Sequence, residues 1–208
     1  MGKGQIIILN GAPRSGKSSM VRLMQETFPG AWMNLGVDIY VKEVIPPAYR
    51  PGIGLRPGGE RPDLEPFIVQ CYRALYRSIA AHSECGLNVV VDIGHHDSYS
   101  KSLSILPECA RLLLQLPVIF VGVRCSLPAI MARRRQLSDQ QKQEYIPLPD
   151  SGAVPPPVEL WQSEVHIPGI YDLEVDTSHK SSLECVREIS DYLLSGKQPT
   201  ALQRLAAM

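Results

Sequence analysis

The stretch Ile6-Ile7-Ile8-Leu9-Asn10-Gly11-Ala12-Pro13-Arg14-Ser15-Gly16-Lys17-Ser18 decides how the rest of the chain reads. A near-continuous aliphatic run is the pattern of a strand buried on both faces. It leads directly into G-x-x-x-x-G-K-S, and residues 18–28 then place Met20, Leu23, Met24 and Thr27 on one helical face. The glycines let the backbone curl so that successive N–H groups converge on phosphate oxygens. Lys17 reaches the β and γ phosphates, the Ser18 hydroxyl ligates Mg²⁺, and the helix dipole favours the anion. Residues Gly11, Ala12, Pro13, Arg14, Ser15, Gly16, Lys17, Ser18 and Ser19 are therefore the expected nucleotide-binding segment, with ATP and Mg²⁺ as the expected cofactors.

Composition bounds the alternatives. A chain of 208 residues suits one domain, with its core at about 4–195. Lys plus Arg and Asp plus Glu both total 21, so no global charge draws it to nucleic acid or an anionic membrane. The longest greasy region, Leu112 to Val123, is interrupted by Gln115 and Pro117 and is too short to cross a bilayer. Five widely spaced cysteines form no C-x-x-C pair, which fits a reducing, cytoplasmic setting.

Three further aliphatic runs, 87–91, 118–123 and 173–175, and a weaker one at 31–37 complete five expected strands. They alternate with helical patterns, notably 64–84 with Ile68, Cys71, Tyr72, Leu75 and Ile79 at spacings of three and four. This order implies right-handed crossovers and a three-layer α/β fold with a mostly parallel five-stranded sheet. Ser126 is an expected N-cap, Ser138 with Gln141 an expected capping box, and Ser181 with Glu184 another that opens a final helix closed by Gly196. Residues 45–62 and 147–168, rich in proline, read as long loops of the kind that form lids and binding loops.

The acids narrow the chemistry. No Asn-Lys-x-Asp base-reading tetrapeptide is present, and Asp92, closing Val89-Val90-Val91, is followed by Ile93 rather than a glutamate that would polarise water. Asp92 stands where it could hold Mg²⁺ directly or through water, or cap the following turn. Asp38, in Leu35-Gly36-Val37-Asp38 at the expected carboxyl end of the second strand, could orient an alcohol and take its proton, or cap the next helix.

These segments, together with Val121-Gly122-Val123-Arg124-Cys125, His166 and Tyr171-Asp172-Leu173-Glu174-Val175-Asp176-Thr177, resemble the chloramphenicol phosphotransferase family over roughly residues 5–195. The resemblance implies a P-loop kinase fold with a mobile lid at about 130–168. It also implies ATP-dependent phosphorylation of an alcohol on a small molecule, with Asp38 as catalytic base. Arg133 is carried over as a nucleotide or phosphate contact; of Arg133-Arg134-Arg135, two are expected to be solvated. The catalytic set is thus Asp38, Lys17 and Arg133, with Ser18 and Asp92 at the metal. The expected partner is a small-molecule alcohol, with neither nucleic acid nor membrane, in a chain that could form a homo-oligomer.

The sequence departs from the family pattern at Leu137-Ser138-Asp139-Gln140, where an Arg-Gly-Asp-Arg run is usual, and at Ile93. Gly94-His95-His96-Asp97 reads as pocket lining, a metal site, or a turn with Asp97 as helix cap, and His82 reads as exposed. Arg50, Arg56 and Arg61 could meet an anionic acceptor or be solvated; Trp161 and Tyr145 could cover a bound ring or pack internally. A nucleoside or sugar kinase of the same fold, or an ATP sensor without turnover, are the alternative functions.

Overall fold

The aliphatic runs pair side by side. β1 (Ile6–Asn10), β2 (Trp32–Asn34), β3 (Asn88–Ile93), β4 (Val118–Arg124) and β5 (Leu173–Asp176) form one sheet in the order β2-β3-β1-β4-β5. Every pairing is parallel, with Ile8 of the central strand opposite Val91 on one side and Phe120 on the other. The computed structural model describes residues 2–50, 55–137, 148–149 and 152–208.

The alternation of side chains along each strand divides the core into two layers. On one face, Ile7, Leu9, Val90 and Val121 meet Met20 and Met24 of α1 (Lys17–Thr27) and Val186 and Ile189 of α7 (Ser182–Leu194). On the other, Ile6, Ile8, Val91 and Phe120 meet α3 (Glu65–Glu84), α4 (Ile105–Leu112) and α8 (Ala201–Ala206) through Leu75, Ile79, Cys109 and Leu205. Each fully buried aliphatic side chain contributes about 1.5–3 kcal/mol, so the continuous runs commit the strands to the interior. A smaller cluster under the phosphate loop joins Ala12 to Ile130 and Met131 of α5 (Leu127–Arg135) and Val158 of α6 (Pro156–Glu164). All five cysteines are free thiols. No helix among the described residues is long and apolar enough to cross a membrane.

Several expectations are corrected. The second strand spans three residues rather than 31–37, and Asp38 lies on the short helical turn α2 (Val37–Ile39) that follows it. The proline-rich segment 147–168 contains α6, because Pro156 and Pro157 occupy the first helical turn, where a missing N–H costs nothing. Residues 201–206 add a helix beyond the expected core limit, with Ala201, Leu202 and Leu205 buried. Ser126 takes the N-cap position, but its hydroxyl makes no cap bond; its amide donates instead to Ser178 Oγ at 2.7 Å. The capping box of Ser181 and Glu184 is present. The Ser138–Gln141 box and Tyr145 lie outside the described residues, as does part of the expected lid.

Candidate active site

The sheet order puts β1 in the centre, so the loop leaving its carboxyl end opens between the two halves of the fold, where parallel α/β sheets place ligands. Gly16 holds φ 94 at the N-cap of α1, a left-handed conformation suited to a residue without Cβ, and Arg14 also adopts positive φ, 69. Gly16, Lys17, Ser18 and Ser19 line a cavity of about 640 Å³. The first-turn amides of α1 have no intrahelical acceptors and suit an anion there.

The Lys17 ammonium bends back onto its own loop and donates to the carbonyls of Gly11 and Ala12, both at 2.8 Å. Burial lowers its pKa, while the negative charges of Asp92 and Asp38 and the Cys125 thiol oppose that shift. Ser18 Oγ donates to Asp92 Oδ2 at 2.7 Å. A hydroxyl and a carboxylate already in contact at the end of a strand are the hard oxygen donors that a small divalent cation takes.

The loop is fastened from behind. Asn10 accepts from the His95 amide at 2.7 Å and donates to the Val165 carbonyl at 2.8 Å and the Tyr171 hydroxyl at 2.9 Å. Thr177 Oγ1 donates to the Ser15 carbonyl at 2.7 Å, tying the end of β5 to the loop. Arg133 donates from Nη1 to the Arg14 carbonyl and Thr177 Oγ1, each at 3.1 Å, and from Nη2 to the Thr177 carbonyl at 2.6 Å. Its guanidinium therefore joins α5, the phosphate loop and β5 while lining the cavity. Neither Asn10 nor Thr177 was identified as a site residue from sequence. Thr177 stands in the quoted Val-Asp-Thr segment, whereas nothing in the sequence marks Asn10 beyond its place between strand and loop.

Asp38 lines the same cavity, with Val37 and Tyr40 beside it. Gly36 brings this turn close to Asp92: a Cβ at Gly36 would overlap Asp92 Oδ1. The lining also includes apolar and aromatic side chains: Ile68, Tyr72 and Leu75 of α3, with Tyr99 and Trp161.

The remaining candidates separate cleanly. Arg134, like Arg133, lines the cavity and is only 4% exposed, so one arginine of the three is exposed rather than two. Successive helical residues differ by about 100°, and the cavity wraps around the last turn of α5 widely enough to reach both. Asp97 caps the turn before α4, accepting from the amides of Leu103 at 2.8 Å and Ser104 at 2.9 Å. His95 and His96 stand behind the aromatic wall: the His95 ring stacks on Tyr72 with centroids 4.8 Å apart, and His96 lies 4.3 Å from Tyr99 and edge-on to Trp161. No group of three His, Cys, Asp or Glu side chains placed to hold a metal occurs among the described residues. His82 is half-buried and bonds the Ser78 carbonyl at 2.7 Å. Arg50 bonds the Lys42 and Ile45 carbonyls and Arg61 pairs with Asp63, which leaves Arg56 as the one of those three that lines the cavity.

The sequence profile of the family described as chloramphenicol phosphotransferase-like protein matches residues 4–194. The chain is 25% identical to "Putative O-phosphotransferase Rv2636" of Mycobacterium tuberculosis over 221 aligned residues, covering 99% of this chain and 89% of that protein. Among solved structures it is similar to the M. tuberculosis APS kinase CysC in complex with AMPPNP and APS (TM-score 0.62, 17% identity, 93% of this chain and 99% of that one). It is also similar to the shikimate kinase of Acinetobacter baumannii in complex with shikimate (TM-score 0.59, 14% identity, 93% and 95%). At those identities the two structures speak to the fold. The phosphate loop, its fastening and a match spanning most of the chain lead to one assignment: the protein belongs to the chloramphenicol phosphotransferase-like family and is a small-molecule kinase on a P-loop core.

Proposed function

We propose that the protein transfers the γ-phosphoryl group of ATP to a hydroxyl group of a small molecule with an apolar or aromatic body. The observation that carries this reading is the single cavity in which the phosphate loop and Asp38 face a wall of Ile68, Tyr72, Tyr99 and Trp161. Ser18 and Asp92, in contact at 2.7 Å, fit a Mg²⁺ ion, which when bound would neutralise phosphate charge.

The chain's own groups divide the remaining work. The amides opening α1 and the Lys17 ammonium receive the triphosphate, with Lys17 exchanging its loop carbonyls for phosphate oxygens. Asp38 orients the acceptor hydroxyl and takes its proton as the new O–P bond forms and the bond from the γ phosphorus to the β–γ bridging oxygen breaks, releasing ADP. Arg134 sets a cation on the cavity wall, and Arg133 holds α5 against the loop so that this wall keeps its shape. The aromatic residues keep water from competing for the phosphoryl group.

Replacement of Asp38 by asparagine tests the assignment. ATP affinity should stay within about twofold while acceptor-stimulated ADP release falls about a hundredfold or more. ATP binding in the wild type with no stimulation by any alcohol would favour a sensor instead.

A further inference from the structure

Arg56 is a cation built into the cavity wall that forms no ion pair among the described residues. Its Nη1 is buried and has no hydrogen-bond partner among the described residues. Its one nearby carboxylate, on exposed Glu60, makes no ion pair with it among the described residues. The side chain does not reach the wall by chance placement of a loose loop. His96 Nε2 bonds the Leu55 carbonyl at 3.0 Å on one side of it, and the Gly58 amide donates to the Ser98 carbonyl at 2.8 Å on the other. Both anchors belong to the segment after β3, which Glu65 fixes in turn by accepting from the Ser100 amide at 2.7 Å. Leu55 itself packs among the α3 side chains that form the apolar wall.

A half-buried guanidinium in a cavity with apolar and aromatic lining is costly unless an anion meets it. Burial already lowers the Arg56 pKa, and the charge of Glu60 opposes that shift without reversing it. Arginine presents planar paired donors that match carboxylate and phosphate oxygens.

Resting on the kinase reading above, we infer that the acceptor is an anionic alcohol: an apolar or aromatic body carrying, besides the hydroxyl that faces Asp38, a carboxylate or phosphate-type group bound by Arg56. The hydroxyl end and the anionic end are separated by that body, so Arg56 selects the substrate while Asp38 acts on it.

The test measures binding without turnover. Calorimetry is carried out on the full chain loaded with a nonhydrolysable ATP analogue and Mg²⁺, using para-(hydroxymethyl)benzoate, its neutral amide and its phosphonate counterpart, with cyclohexyl and naphthyl sets alongside. The inference expects one of the anionic members to bind about tenfold or more tightly than its amide. Arg56→Gln should erase that preference, Arg56→Lys should retain part of it, and the affinity for the ATP analogue should change by less than about twofold in both variants. A tighter carboxylate or a tighter phosphonate tells which anion the site takes.

Equal binding of neutral and anionic members overturns the inference, as does binding of none of them. A loss in Arg56→Gln that falls on the nucleotide, or equally on amide and anion, overturns it too. Because no step depends on transfer, failure of the kinase reading would register separately, as nucleotide binding with no product from any acceptor.

Discussion

The Ser18 hydroxyl donates to Asp92 Oδ2 at 2.7 Å, joining the first turn of α1 to the end of β3 through a pair of oxygens. Ser18→Ala leaves Asp92 in place but removes one of the two oxygens proposed to hold Mg²⁺; Asp92→Asn keeps the shape and removes the charge. Each should raise the Mg²⁺ concentration needed for half-maximal turnover by about tenfold or more, with thermal stability lowered by no more than about 1–2 kcal/mol. Magnesium titration of acceptor-dependent ADP release checks both.

Gly36→Ala is a sharper probe of the same centre. The added Cβ has no room beside Asp92 Oδ1, so either the carboxylate rotates away from Ser18 or the α2 turn retreats with Asp38. In either case turnover should fall about a hundredfold, a result expected of a misplaced reacting group, while the protein remains folded. A wild-type rate in this variant would contradict the close approach.

Thr177→Val keeps the volume of the side chain and removes the hydroxyl that serves both the Ser15 carbonyl and Arg133 Nη1. A buried carbonyl left without its donor costs about 1–3 kcal/mol, so the melting temperature should fall and ATP affinity with it. Thr177→Ser, which retains the hydroxyl, should recover most of both losses in the same melting and binding assays.

Acid should destabilise the fold through His95. Burial, reinforced by neighbouring His96, pushes its pKa down to about 3, and His166 is pushed down to about 4 by burial and the charges of Arg124 and Lys17. The unfolded chain titrates these rings near pH ~6.5, so it binds more protons than the folded one below that pH. Stability is therefore full above about 6.5 and declines as the pH falls from there toward the folded values, by up to about 1.4 kcal/mol per pH unit for each ring. His95→Gln should flatten the slope of melting temperature between about pH 6.5 and about pH 4.5, relative to wild type.

What could be read in advance was whatever depends on local spacing. Gly11 to Gly16 form the loop and Lys17 to Ser19 open α1, and the aliphatic runs made five parallel strands because residues such as Ile7 and Ile8 have to be buried on opposite faces of one layer. Asp92 and Lys17 were legible for the same reason, since each sits at a fixed distance from a recognisable strand. The rest arises from chain segments meeting. Thr177 reaches Ser15 across 162 residues and Asn10 reaches Tyr171 across 161, and such staples leave no periodic mark. Trp161 and Arg134 were obscured differently: three prolines hid a helix by suggesting a loop, and a run of three arginines suggested a solvated face. Arg56 could be noted in the sequence but not separated from Arg50 and Arg61 until their own partners were seen.

The bent posture of Lys17 bears on selectivity among anions. With two main-chain oxygens already clasping its ammonium, the loop carries an internal competitor that any incoming guest must evict. A lone sulfate or inorganic phosphate offers too few compensating bonds to win that exchange decisively, whereas a polyphosphate chain engages the whole curl at once. Millimolar sulfate should accordingly compete only weakly with ATP in a binding assay.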